Sequence, residues 1–138
     1  MNTARLLALA DAIEGHVLPE LGFNMEVYYS TAYRNLPDRS GHECGTIACI
    51  AGWACKLYGS LGEGYFATAA YHLDLDYETA SELFIPPGPA HWDEENRRWQ
   101  EFPVNTWKAT PAQAARVIRH LAATGKVDWR VAFESEVA

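Results

Sequence analysis

Cysteine is scarce in this chain of 138 residues, and the few copies stand close together. The three cysteines are Cys44, Cys49 and Cys55. A disulfide framework uses an even number of cysteines spread along the chain, so this pattern argues against one. We therefore expect free thiols and a reducing compartment, which for this chain means a cytoplasmic location.

Long apolar runs and basic residues are also in short supply. No run of about 18 apolar residues is present, so we expect no membrane-spanning helix. The start, Met1–Arg5, lacks the basic, apolar and small-residue regions of a secretory signal. The formal net charge is −7, from 18 acidic and 11 basic residues. Nucleic-acid binding draws its affinity from Lys and Arg, so we do not expect direct binding to DNA or RNA.

What the chain does contain is typical of one globular domain covering residues 1–138, with 49% hydrophobic residues. From Thr46 to Tyr58 it is apolar on every side, which indicates a buried helix. Thr46 is a candidate N-cap and Gly59 a candidate C-terminal stop. We predict a mainly α fold, a small helical domain around this central helix at about 46–58. Alternation of apolar and polar residues over 23–29 adds a short strand or hairpin element.

Further helices are predicted from apolar spacing and capping signals. The first covers 4–18, with Thr3 as its cap and Val17 on its apolar face. The last opens with a capping box at Thr110–Gln113 and closes at Gly125. The remaining predicted elements are helices over 65–73 and 77–84, a short helix over 90–100, and either a strand or a final helical turn over 127–133.

A longer motif carries a resemblance. Residues 44–54 read C-G-T-I-A-C-I-A-G-W-A. This run resembles a family of small uncharacterised proteins from bacteriophages, prophages and their bacterial hosts, marked by C-G-T-x-x-C-x-A-G-W-A. Similarities at 73–75, 80–84 and 124–129 extend the resemblance over roughly residues 42–130. It implies a phage-type origin but brings no established activity.

Small phage proteins often act by binding and disabling a host factor, sometimes a defence system in the manner of an anti-CRISPR protein. The resemblance therefore implies a binding protein that inhibits or modulates a host protein, by analogy only. We expect such a binding protein rather than an enzyme. The sequence identifies neither the partner nor the oligomeric state.

The candidate partner-binding residues lie in the segment 86–110. Trp92, Arg97, Arg98 and Trp99 stand close together there, and Trp and Arg are favoured in interface hot spots. In the alternative, the tryptophans fold inward as a lid over the core and the charges are solvated. The same two interpretations apply to a tyrosine group, Tyr28, Tyr29 and Tyr33.

Two other function classes stay open. Cys44 precedes the predicted central helix, whose N-terminus lowers a thiol pKa, and His42 is a nearby base. A cysteine-dependent enzyme using Cys44 is thus one alternative, although the residue also suits simple packing at the helix entrance. The other is a small-ligand-binding domain with a pocket between the central helix and the aromatic segment 86–110.

A metal centre is not predicted from His42 and the three cysteines. On one helix, Cys49 and Cys55 would point about 240° apart, so they cannot bind the same ion. The sequence also contains no C-x-x-C pair. We expect neither a metal nor another cofactor.

Overall fold

The computed structural model describes residues 1–19, 21–25, 47–59, 64–86, 90–93, 95–101 and 106–134. Its elements confirm a mainly helical fold. In chain order they are α1 (Thr3–Gly15), β1 (Gly22–Phe23), β2 (Ile47–Ala48), α2 (Ile50–Tyr58), α3 (Tyr65–Leu73), α4 (Tyr77–Phe84), β3 (Ala90–Asp93), β4 (Arg98–Glu101), a 3-10 turn (Thr106–Lys108), α5 (Pro111–Thr124) and α6 (Val131–Glu134).

Helix α2 forms the centre of the fold, as predicted. All of its residues from Ile50 to Cys55 are buried, and α3 packs along it. The Trp53 side chain is fully buried, and its Nε1–H donates a hydrogen bond of 2.9 Å to the carbonyl oxygen of Gly22. This bond satisfies the polar end of the indole inside the core, so Trp53 keeps its apolar contacts without an unpaired donor.

The predicted start of the central helix is wrong. Cys49 is the N-cap of α2, and Ile47–Ala48 forms β2 instead of a first helical turn. Thr46 lies outside the described residues. A short apolar run fits a buried strand as well as a buried helix, so local pattern cannot place the boundary.

Strand β2 pairs in parallel with β1, Gly22 opposite Ile47 and Phe23 opposite Ala48. The alternation predicted over 23–29 is not observed where the structure describes it, because all residues from 21 to 25 are buried, Asn24 included. The backbone N–H of Asn24 donates to the carbonyl oxygen of Ala48 at 3.1 Å, which continues the pairing. Residues 26–46 lie outside the described part of the chain.

Helix α1 begins and ends differently from its prediction. Asn2 is the cap, because its side-chain oxygen accepts from the backbone N–H of Arg5 at 3.0 Å. The helix ends at Gly15, where His16 takes a left-handed conformation with φ 51°. Val17 therefore leaves the apolar face and is 56% exposed.

Helix α5 was predicted correctly at both ends. The Thr110 hydroxyl accepts from the Gln113 backbone, and the Gln113 side chain accepts from the Thr110 backbone at 2.8 Å. Gly125 closes the helix in the left-handed conformation. The buried face of α5 packs on α1, and Arg119 pairs with two carboxylates of α1, Asp11 and Glu14, at 2.8 Å each.

Helices α3 and α4 match their predicted ranges, with Asp76 capping α4 through the Thr79 backbone at 2.7 Å. Of the two alternatives for 127–133, the helical turn is correct, since Val131–Glu134 forms α6. Trp129 before it is buried and donates to the carbonyl oxygen of Glu82 at 2.9 Å. Across the described ranges, no helix has both the length and the apolar character needed to cross a membrane.

Candidate functional site

The segment that holds the predicted partner-binding residues is a β-hairpin. Strands β3 and β4 are antiparallel, with Trp92 opposite Trp99 and Asp93 opposite Arg98. The short helix predicted over 90–100 is therefore wrong. Each strand has only four residues, which is too short for alternation to stand out from a helical period.

The loop end of the hairpin is polar and exposed. Glu95, Asn96, Arg97 and Arg98 are all exposed. Arg97 has a φ of 52°, in the left-handed region. That conformation costs an L-residue with a side chain roughly 1–2 kcal/mol, whereas glycine adopts it freely. Arg97 directly precedes β4, so the left-handed position at the entry to this strand is occupied by an arginine.

The two strands of the hairpin contact each other extensively. The two predicted arginines are thus brought together at an exposed tip, with the backbone positions of Trp92 and Trp99 directly behind them. Where the two indole rings lie is outside what the structure describes, so the lid over the core stays a prediction.

The cysteines of the described chain are packing residues. Cys49 is fully buried, and burial raises the pKa of its thiol from 9.0 to about 11. Burial also raises the pKa of Cys55 to about 11, and its thiol contacts the carbonyl oxygen of Tyr65 at 3.5 Å. Both thiols stay protonated at neutral pH, which makes them poor nucleophiles.

The other predicted residues of an enzyme site, Cys44 and His42, lie outside the described residues, as do Tyr28, Tyr29 and Tyr33. The enzyme alternative therefore stays a prediction. Among the residues that the structure describes, no group of three or more His, Cys, Asp or Glu side chains is placed to hold a metal ion.

A polar cluster that the sequence did not predict lies between α1 and α3. Arg5 donates from Nη1 to the carbonyl oxygen of His72 at 3.1 Å and to its Nδ1 at 3.3 Å. The guanidinium carbon lies 5.0 Å from the centre of the Tyr58 ring, and the Tyr58 hydroxyl donates to the Arg5 carbonyl oxygen at 2.9 Å. Arg5 and His72 are 67 residues apart, so only tertiary packing brings them together.

This contact also fixes the tautomer of His72. A guanidinium only donates hydrogen bonds, so Nδ1 accepts and the ring proton is on Nε2. Nε2–H then donates to the carbonyl oxygen of Gly59 at 2.9 Å. Both ring nitrogens of this buried histidine are satisfied, and the ring is held rigidly beside Arg5.

The cluster borders an open groove of about 720 Å³, lined by Met1, Asn2, Thr3, Arg5, Tyr71, His72 and Asp74. This is a different place from the pocket predicted between the central helix and the segment 86–110. No protein family, curated protein or solved structure matches this chain.

Proposed function

We propose that this protein binds a host protein, and inhibits or modulates it, through the β3–β4 hairpin. Arg97 and Arg98 are the principal contact residues in this proposal, with Trp92 and Trp99 beside them. The observation that carries it is the exposed pair of adjacent arginines at the tip of the β3–β4 hairpin.

The chemistry of arginine supports a protein partner. A guanidinium binds a carboxylate through two parallel hydrogen bonds, and such charge-assisted pairs are about twice as strong as neutral ones. Truncating an arginine at the centre of an interface often costs about 2 kcal/mol or more. Two adjacent guanidinium groups favour a partner surface that carries carboxylates at the contact.

The backbone at Arg97 adds a second argument. A left-handed position in a loop favours glycine, and Arg97 occupies one with a φ of 52°. Unfavourable backbone conformations are concentrated at functional sites, where the function of the side chain offsets the free-energy cost of the conformation. The phage-type setting, with a host defence component among the targets, rests on the sequence resemblance over roughly residues 42–130 alone.

The test is capture of a partner followed by removal of the two side chains. The protein is immobilised, incubated with bacterial host lysate, and its bound proteins are identified by mass spectrometry. The capture is repeated with the double variant Arg97→Gly/Arg98→Gln, in which glycine preserves the loop conformation. We expect the partner's Kd to rise at least about 30-fold, which corresponds to about 2 kcal/mol.

Arg130→Gln is the matched control, because Arg130 is a 63% exposed arginine outside the hairpin. It should bind the partner as tightly as the parent does. Circular dichroism confirms the fold of each variant. A folded double variant with parental affinity would exclude the hairpin as the contact surface.

A further inference from the structure

The Arg5 side chain is held in place before any ligand is present. The His72 carbonyl oxygen and Nδ1 fix Nη1, and the Tyr58 ring supports the guanidinium from 5.0 Å. Tyr58 is itself fixed by its hydrogen bond to the Arg5 backbone. An arginine held in this way loses little conformational entropy when it binds, so its affinity for an anion is increased.

The observed contacts leave most of the guanidinium available. Within the described residues, Nε and Nη2 have no protein partner and no carboxylate contacts Arg5. Arg119 and Arg130, in contrast, each pair with an aspartate. The bond to the His72 carbonyl oxygen satisfies the end of α3, but it occupies Nη1 alone.

The groove beside Arg5 offers room for a ligand. Its other polar walls are Asn2, Thr3 and His72, and Tyr71, which is 71% exposed, adds an aromatic surface. Asp74 is the one carboxylate among the residues lining this groove, and its side chain is 81% exposed. Its carboxylate pairs with the Met1 ammonium at 2.9 Å, so removing it takes away a negative charge and releases a positive one beside the groove.

We propose that this groove binds an oxyanion, the carboxylate or phosphate group of a small ligand. Arg5 is the binding residue, and it presents Nε–H and Nη2–H as a planar fork. His72 and Tyr58 are positioning residues that hold this fork. The site does not involve the hairpin, so its test does not depend on the proposed function.

The experiment is a titration of the full chain, followed by NMR of backbone amides and of the arginine Nε–H group. Inorganic phosphate and acetate are added in separate series at constant ionic strength, with chloride as the reference. We expect saturable shifts at Arg5, Asn2 and His72. Saturation with phosphate alone would identify a phosphate group as the ligand, and saturation with acetate alone would identify a carboxylate. Saturation with both anions would show that the site binds either oxyanion.

Three variants sharpen this test. Arg5→Gln should weaken binding at least about 10-fold, since it removes the charged fork. Asp74→Asn should strengthen binding about 3-fold or more, because it removes a like charge and releases the Met1 ammonium that pairs with it. Asparagine tolerates the left-handed φ of 53° at this position. Arg130→Gln should leave binding unchanged.

The proposal would be overturned by NMR chemical shifts that change linearly with phosphate or acetate concentration, by the same amount as in chloride. It would also be overturned by a folded Arg5→Gln variant that binds with parental affinity. If Arg5→Gln does not fold, Arg5→Lys takes its place. It keeps the charge without the fork and should bind about 5-fold more weakly. Unchanged affinity in Arg5→Lys, or no strengthening in Asp74→Asn, would equally contradict the site.

Discussion

Helix α2 and the β3–β4 hairpin use their residues in opposite ways. In α2, Trp53 is fully buried and its one polar atom is satisfied within the core. In the hairpin, Arg97 is exposed and occupies a backbone conformation that glycine would adopt at lower cost. Core packing accounts for Trp53, whereas the Arg97 side chain is exposed to solvent. The comparison separates what stabilises this protein from what is available for binding.

The largest expected effect tests how much the core helix α2 contributes to stability. Trp53→Ala should lower the free energy of unfolding by about 3–5 kcal/mol, because it leaves a cavity and an unpaired Gly22 carbonyl. Urea denaturation measures this loss. The control is Tyr77→Ala, at a side chain that is 79% exposed, and it should cost less than about 1 kcal/mol. A loss below about 1 kcal/mol for Trp53→Ala would mean that α2 is not the centre of stability.

Alkaline pH should lower the free energy of unfolding through the buried thiol of Cys49 in the same core region. Its pKa is raised from 9.0 to about 11 by burial, so between these values the unfolded chain loses the thiol proton while the folded chain keeps it. Stability is therefore fully present below pH 9 and is lost as the pH rises towards 11. At pH 10.5 this thiol should lower the free energy of unfolding by about 1–2 kcal/mol relative to pH 8.

The measurement for this prediction is urea denaturation at pH 8 and pH 10.5, for the parent and for Cys49→Ala. The parent should lose more stability between the two pH values than the variant does. Equal losses would show that the Cys49 thiol is not buried as described. Native protein at neutral pH should also resist labelling of Cys49 by iodoacetamide until it is unfolded.

A pair of threonines compares a hydrogen bond at a helix cap with a hydroxyl in the core. The Thr110 hydroxyl caps α5, so Thr110→Ala should cost about 1 kcal/mol. The Thr68 hydroxyl is buried and has no hydrogen-bond partner among the described residues, so Thr68→Val should leave stability unchanged or raise it by up to about 1 kcal/mol. Thermal denaturation compares the two. Destabilisation by Thr68→Val would indicate that its hydroxyl has a partner, such as a water molecule.

The smallest expected effect is on the hairpin. Arg97→Gly should change the free energy of global unfolding by less than about 1 kcal/mol, because Arg97 is an exposed loop residue. Locally it should slow hydrogen exchange of the β3 and β4 amides, since the strained backbone is relieved. Arg97→Val should speed that exchange, because a β-branched residue fits the left-handed region poorly. Equal exchange in both variants would mean that the backbone conformation of Arg97 does not affect the hairpin.

The elements that the sequence predicts well are those with local signals at their ends. The capping box at Thr110 and the stop at Gly125 fix α5 without reference to the rest of the chain. The end of α1 could not be predicted in this way, because a histidine rather than a glycine takes the left-handed position. The boundary at Cys49 depends on the pairing of Ile47–Ala48 with β1, which is a tertiary contact.

The candidate sites also divide into one that local sequence signals indicate and one that only tertiary contacts create. Arg97 and Arg98 are adjacent in the sequence, so their clustering could be recognised from the sequence alone. The hairpin that presents them was not predicted, because its loop contains no glycine turn signal. The groove at Arg5 could not be found from sequence. Its two central residues come from helices far apart in the chain, and neither has a distinctive neighbour.

The packing of α1 against α5 has a consequence for synthesis on the ribosome. Arg119 and its partner Asp11 are separated by 108 residues, and α5 is the principal neighbour of α1. At about 5–20 residues per second, α1 waits roughly 5–20 s before its partner helix is translated. During that interval its apolar face, which includes Leu6, Leu9 and Ile13, lacks its main cover. The nascent chain is therefore expected to expose a chaperone-binding segment until α5 has been translated.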